Sequence, residues 1–329
     1  LTCEKNLTDV ALALIATGKS NPEYVCGSEN NTALLYACKT KMNDVALALI
    51  ATGKSNPSQI NKNNNTALIL TCEKNLTDVA LALIATGCSN PLFVHNNSTS
   101  ALIHAYANNM TDVALTIVKT KSFVREQDKF HKQHALICAC YVNMPEVAII
   151  IVEIGLYEPD YMDDYGGTAL IYACYNKMND VALALIATGK SNPSQINRYG
   201  GTALIYACHN KMNDVALALI GTGLSNPEVI DETFKCSALR FACHNCMTAV
   251  ALAIIKFEHT NKRHLNASEQ NITTCLYNNK KFNDDVWKNM ADQHLRTLKD
   301  KILLIKQQMN TDESILVLAC KNNMSDVAI

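Results

Sequence analysis

Residues 197–220 read Asn197-Arg-Tyr-Gly-Gly-Thr-Ala-Leu-Ile-Tyr-Ala-Cys-His-Asn-Lys-Met-Asn-Asp-Val-Ala-Leu-Ala-Leu-Ile220. The stretch decides the fold because it recurs. Its second half, from Asn-Lys-Met to Ile, stands at 176–186 and again at 210–220. An eighteen-residue run ending Val-Ala-Leu-Ala-Leu-Ile-Ala-Thr-Gly stands unchanged at 1–18 and 70–87. With the Thr of Thr-Ala-Leu as offset zero, units begin at Thr32, Thr66, Ser100, His134, Thr168, Thr202 and Ser237, and weaker ones at Thr273 and Ser314. The step is 34 residues five times, then 35. A fixed period of this length is the mark of a stacked repeat architecture. Leu1 stands where Leu70 does and Ile329 falls inside a unit, so the expectation is a piece of a longer protein.

Each unit divides alike. Offsets 0 to about +8 form a short apolar helix, as in Thr202 to Asn210. A turn follows at +9 and +10, where Asn75, Asn109, Asn143 or Lys residues sit, and Asn tolerates the left-handed conformation that ends a helix. Thr8, Asn43, Thr77, Asn179 and Asn213 at +11 read as caps of the second helix, with Pro145 at the same slot and acids such as Asp44 and Asp214 at +12. Gly at +21 stops that helix. The remaining stretch is rich in Asn, Pro, Gly and Ser and reads as an extended loop, because Asn-Pro and Gly-Gly break a helix.

Asp163-Asp-Tyr-Gly-Gly-Thr-Ala-Leu-Ile-Tyr-Ala-Cys174 and the equivalent 197–208 resemble the ankyrin repeat. The resemblance implies an all-α repeat solenoid of stacked helix-turn-helix units with extended hairpin loops. It also implies a module that binds proteins through its concave face. Two departures recur: Ala replaces Pro after the Thr, and Ile or Leu replaces the His that braces the family's hairpins. The resemblance covers about 1–257, read as a regular array with an incomplete first unit. Residues 258–329 read as degenerate ankyrin-like units, the last incomplete. They include a long amphipathic helix at about 284–308, striped by Trp287, Ala291, Leu295, Leu298, Ile302 and Ile305. The near-identical, Asn- and Ile-rich units also resemble ankyrin proteins of giant amoeba-infecting DNA viruses in style.

Lys plus Arg total 29 against 30 Asp plus Glu, which gives no electrostatic reason for a nucleic-acid or anionic-membrane partner. No apolar run approaches the ~20 residues of a membrane span. Of fourteen Cys, eight share offset +6: Cys3, Cys38, Cys72, Cys140, Cys174, Cys208, Cys243 and Cys320. There Cys substitutes for a small core residue. Equivalent helices ~8–10 Å apart are too far for disulfides, so reduced thiols in a cytoplasmic protein are expected. Cys236, Cys243, His244 and Cys246 form the densest cluster. Cys243 belongs to the core column and His244 to the open face, so no metal, cofactor or catalytic site is expected.

Binding residues are sought at offsets −4, −3, −1, +7 and +8, which line the concave groove of such a solenoid. In the first units these are polar: Ser28, Glu29, Asn31, Lys39, Thr40. From about 130 to 245 they become Phe130, His131, Tyr141, Tyr165, Tyr175, Arg198, Tyr199, His209, Phe234 and His244. Aromatics and Arg carry interface energy, and the chain is only 6% aromatic, so this clustering marks a partner-binding face. The competing explanation is that some of these rings pack on neighbouring hairpins. The expected function is a non-enzymatic scaffold for a protein partner in the cytoplasm, of a host cell or within a virion. Alternatives are a virion or filament component that self-associates, and the substrate receptor of a ubiquitin-ligase adaptor.

Overall fold

The first helix starts at a hydroxyl in every described unit but that of His134. Thr32, Thr66, Ser100, Thr168, Thr202 and Ser237 are extended, and each Oγ accepts from the backbone N–H three residues on, at 3.2–3.4 Å. A cap of this kind is worth ~1 kcal/mol, a large share for helices of only seven residues. The computed structural model describes residues 7–260 apart from 95–98, 122, 124–128, 156 and 159. The expected helix at 284–308 lies outside the described residues.

The described residues form fifteen helices. The first helices of the units are α2 (Ala33–Lys39), α4 (Ala67–Glu73), α6 (Ala101–Ala107), α8 (Lys129–Tyr141), α10 (Ala169–Tyr175), α12 (Ala203–His209) and α14 (Ala238–His244). The second helices are α1 (Thr8–Ala16), α3 (Asn43–Ala51), α5 (Thr77–Ala85), α7 (Thr111–Val118), α9 (Pro145–Ile154), α11 (Asn179–Ala187), α13 (Asn213–Gly221) and α15 (Thr248–Thr260). First helices pack on first helices of the next unit, and second on second, so the described residues form an all-α repeat solenoid. One continuous core runs through it, from Ala11 to Ile254. The second helices from α3 onward contribute a stripe such as Val45, Ala46 and Leu49, spaced to stay on one side of a helix.

The turn between the paired helices differs from its sequence reading. Only offset +9 is left-handed, and it takes Lys41, Lys177, Lys211 and Cys246 as readily as Asn75, Asn109 and Asn143. The second helix is not capped by the +11 residues. Its cap position is +10, a buried Met42, Leu76, Met110, Met144, Met178 or Met212 with no side-chain cap bond. Burial of this apolar side chain won over capping. Asn43 and its equivalents are the first helical residues, as Pro145 is.

The loops are braced by one carboxyl or amide side chain. Asn197 Oδ1 accepts from the N–H groups of Tyr199 (3.0 Å) and Gly201 (2.8 Å), and Asp163 does the same for Tyr165 and Gly167. Neighbouring loops join through Lys62 N to Glu29 O, Arg198 N to Tyr165 O and Glu232 N to Tyr199 O, at 2.8–2.9 Å. At Ile230–Asp231 and Cys236–Ser237 the loop pairs as a two-stranded antiparallel ribbon, β1 and β2. The His134 unit departs from this. Its first helix, α8, begins at Lys129, so Phe130 and His131 sit on a helix rather than at a hairpin tip.

Candidate functional site

The aromatic positions fall in two rows. Offset −3 supplies Tyr165, Tyr199 and Phe234 from the loops, and offset +7 supplies Tyr141, Tyr175, His209 and His244 from the ends of first helices. Contacts fix how the rows face one another. In the first complete unit, Lys39 Nζ (+7) lies 3.0 Å from Glu29 Oε2 (−3), so these offsets oppose each other within a unit. His209 stacks on Phe234 at 5.0 Å, so a +7 ring also reaches the −3 ring of the next unit. Arg198 places its guanidinium 5.8 Å from the centre of the Tyr165 ring. Phe130 lies on a different kind of element, and its side chain is outside the described residues.

Packing accounts for one edge of each ring. Tyr141 meets Tyr172 edge-on at 5.2 Å, Tyr175 meets Tyr206 at 5.3 Å, and His209 meets Phe241 at 5.0 Å. Tyr141, Tyr175 and His209 thus each rest on the +4 ring of the next unit. Even so, Tyr141, Tyr165, Tyr175 and Tyr199 remain 52–64% exposed and Phe234 44%. A ring held on one side and open on the other loses little conformational entropy on binding. His209 and His244 are exposed as well.

The +4 rings are functional scaffolding that the sequence reading missed. The Tyr172 hydroxyl donates to Asp163 Oδ2 at 2.6 Å, and Asn197 Nδ2 donates to the Tyr206 hydroxyl at 3.2 Å. Burial, then the bond to Asp163, pushes the Tyr172 hydroxyl above its ordinary range, and burial does the same for Tyr206. These bonds tie the first helix to the loop, the job the resemblance assigns to the missing His. The signal was present: a Cβ on Gly167 or Gly201 would lie 2.4–2.6 Å from the Tyr172 or Tyr206 ring and hydroxyl, so Gly-Gly before Thr leaves room for Tyr at +4. In the last described unit Cys236 replaces that Gly and Phe241 replaces the Tyr. The buried Asp231 Oδ2 then has no hydrogen-bond partner.

Where offset +8 is Asn, its side chain braces the stack. Asn176 Nδ2 donates to the carbonyls of Cys140 (2.7 Å) and Tyr141 (3.0 Å), and Asn210 to those of Cys174 and Tyr175, both 2.9 Å. Asn108, two units before Asn176, and Asn245, one unit after Asn210, repeat the pattern. Each amide satisfies carbonyls left open at the end of the preceding unit's first helix, and so fixes where the +7 ring projects.

The +6 thiols Cys38, Cys72, Cys140, Cys174, Cys208 and Cys243 are buried and form no disulfide. Burial pushes the Cys72 thiol up to about 12, and raises Cys140, Cys174 and Cys208 further. Thiols this hard to ionise are poor nucleophiles. In the Cys236 cluster Cys243 is buried while Cys246 is exposed, and among the described residues no group of His, Cys, Asp or Glu is arranged to hold a metal. Among the described residues no helix is long and apolar enough to cross a membrane.

Residues 102–197 and 136–230 match the family model described as Ankyrin repeats (3 copies). No curated protein matches the chain.

Proposed function

From this run of ankyrin repeats, a type of unit that generally mediates protein–protein interaction, we propose that the chain is a non-catalytic scaffold. It holds a protein partner on its concave face. The observation that carries the reading is the pair of half-exposed aromatic rows between Tyr141 and His244. Tyr165, Tyr175, Tyr199, Arg198, Phe234 and the two His supply contact area; the core does not need their open faces. Buried thiols outside any disulfide suit a reducing compartment such as the cytoplasm.

The test replaces Tyr165, Tyr199 and Phe234 together by Ala and captures partners from cell extract, identified by mass spectrometry. Loss of a partner by roughly tenfold or more is expected, the effect of removing hot-spot aromatics. The circular dichroism spectrum should be retained. A partner captured equally by both proteins overturns the assignment.

A further inference from the structure

We propose that the two aromatic rows bind a proline-rich segment of the partner in the left-handed polyproline II conformation, one ligand turn per repeat. The proposal rests on the partner-binding reading above and names the chemistry of the partner.

Spacing is the first argument. Rings recur once per unit in both rows, and stacked units lie ~8–10 Å apart, the distance between packed helices. Polyproline II turns once in three residues of ~3.1 Å, a pitch of roughly 9 Å. An α-helix repeats every ~5.4 Å, and a strand every ~6.6 Å, so neither keeps step with successive rings. Proline rings would seat against Tyr199 and, in the other row, against Tyr141 and Tyr175, whose ring contacts are edge-on; the Tyr165 and Phe234 faces already carry Arg198 and His209.

Hydrogen bonding is the second. A polyproline helix has no amide donors at its prolines and leaves every carbonyl unpaired. The rows offer matching donors: the phenols of Tyr165 and Tyr199 in one row and of Tyr141 and Tyr175 in the other, each half-exposed and one unit apart within its row. Their rings supply flat faces for pyrrolidine C–H groups, as in other aromatic-lined grooves for such ligands.

Charge is the third. In the first complete unit the two rows hold Glu29 and Lys39, which satisfy each other. From Tyr141 to His244 the rows contain no carboxylate and no ammonium. The flanking charges alternate in sign, Asp164 before Arg198 and Glu232 before Lys235, with Arg198 drawn over the Tyr165 ring. Flanking charges of both signs favour neither an acidic nor a basic peptide over an uncharged segment.

The experiment is calorimetric titration of the full chain with oligoproline peptides of three, six, nine and twelve residues. Affinity should climb by about two- to tenfold per added triplet, one aromatic contact at a time, and level off after nine. Tyr199→Ala should cost about as much as one triplet, and Tyr199→Phe, which keeps the ring and loses the donor, less. Nonaproline binding no better than a Gly-Ser peptide of equal length overturns the proposal. So does binding indifferent to Tyr199→Ala, or tighter binding of a helical or charged nonapeptide. If the triple Ala variant loses its cellular partner while nonaproline fails to bind, the interface reading stands and the polyproline assignment falls. If neither responds, both fall.

Discussion

The Thr32 and Thr66 units and the Thr168 and Thr202 units are the same building block with two different faces. Their second helices are identical or nearly so: Asn43–Ala51 and Asn179–Ala187 share every residue and bury the same Val, Ala and Leu. The differences lie elsewhere. Loop tips carry Glu29 and Asn63 in one region, Tyr165 and Tyr199 in the other. Offset +7 changes from Lys39 and Glu73 to Tyr175 and His209, and offset +8 from Thr40 and Lys74 to Asn176 and Asn210. Where one scaffold is copied almost letter for letter, the positions allowed to diverge are those the core does not use. The comparison therefore isolates the binding face more cleanly than either region alone.

What the two regions share should respond alike, and this gives the largest expected effect. Cys72 in one region and Cys174 and Cys208 in the other all have thiol ionisation raised by burial. The unfolded chain binds fewer protons than the native one once pH passes the ordinary thiol range near ~8.5. Stability is therefore full below that range and falls as pH rises, until the native thiols ionise, near about 12 for Cys72. Each such thiol takes away up to ~1.4 kcal/mol per pH unit. Thermal melts from pH 7.5 to 10 should fall steadily, and Cys174→Ala with Cys208→Ala should flatten the fall. A flat profile for the unaltered chain would place the column in contact with water.

Much of this fold was legible in the sequence because repetition multiplies weak signals. Period, helix pairing, the Gly stops and the core column at +6 could all be read from aligned units. The site was half legible. Tyr165 and Tyr199 stand out as exposed aromatics at loop offsets, but the pairing of +7 rings with +4 rings of the next unit crosses 31 residues of chain, as from Tyr175 to Tyr206. Contacts between units leave no periodic trace of their own. The same limit hid the +8 amides, whose acceptors sit some 35 residues back. It also hid the helical start of the His134 unit, where the turn residues that mark other loops are missing.

The second prediction concerns how the aromatic region is built. Gly201→Ala puts a Cβ within 2.4 Å of the Tyr206 hydroxyl, so the ring that braces the loop must move. Overpacking of this sort costs ~1–3 kcal/mol. Gly221, at the end of α13, is the control: a Cβ there meets nothing within 4 Å, and Ala51, Ala85 and Ala187 occupy the same offset in other units. Gly221→Ala should stabilise by ~0.5–1 kcal/mol, the helix-propensity gain. Urea unfolding of both variants reads the opposite signs. A destabilising Gly221→Ala together with a neutral Gly201→Ala would remove the tyrosine brace from the account.

The smallest difference separates the regions at +8. Asn210→Ala leaves the Cys174 and Tyr175 carbonyls without their amide donor, at a cost of ~1 kcal/mol because these carbonyls are only partly buried and water can substitute. Thr40 makes no such bridge; its hydroxyl returns to Tyr36 O within its own helix at 2.8 Å. Thr40→Ala should therefore cost less, within about 0.5 kcal/mol, as for an ordinary surface position. The two variants also differ in reach. Asn210 holds the end of the helix that carries Tyr175, so its loss should loosen partner binding by a few-fold even where the chain stays folded, while Thr40→Ala should leave binding unchanged. Equal effects of the two on stability and binding would mean that the amide ladder merely decorates the stack. A larger effect of Asn210→Ala on binding than on unfolding would tie the aromatic face to the ladder beneath it.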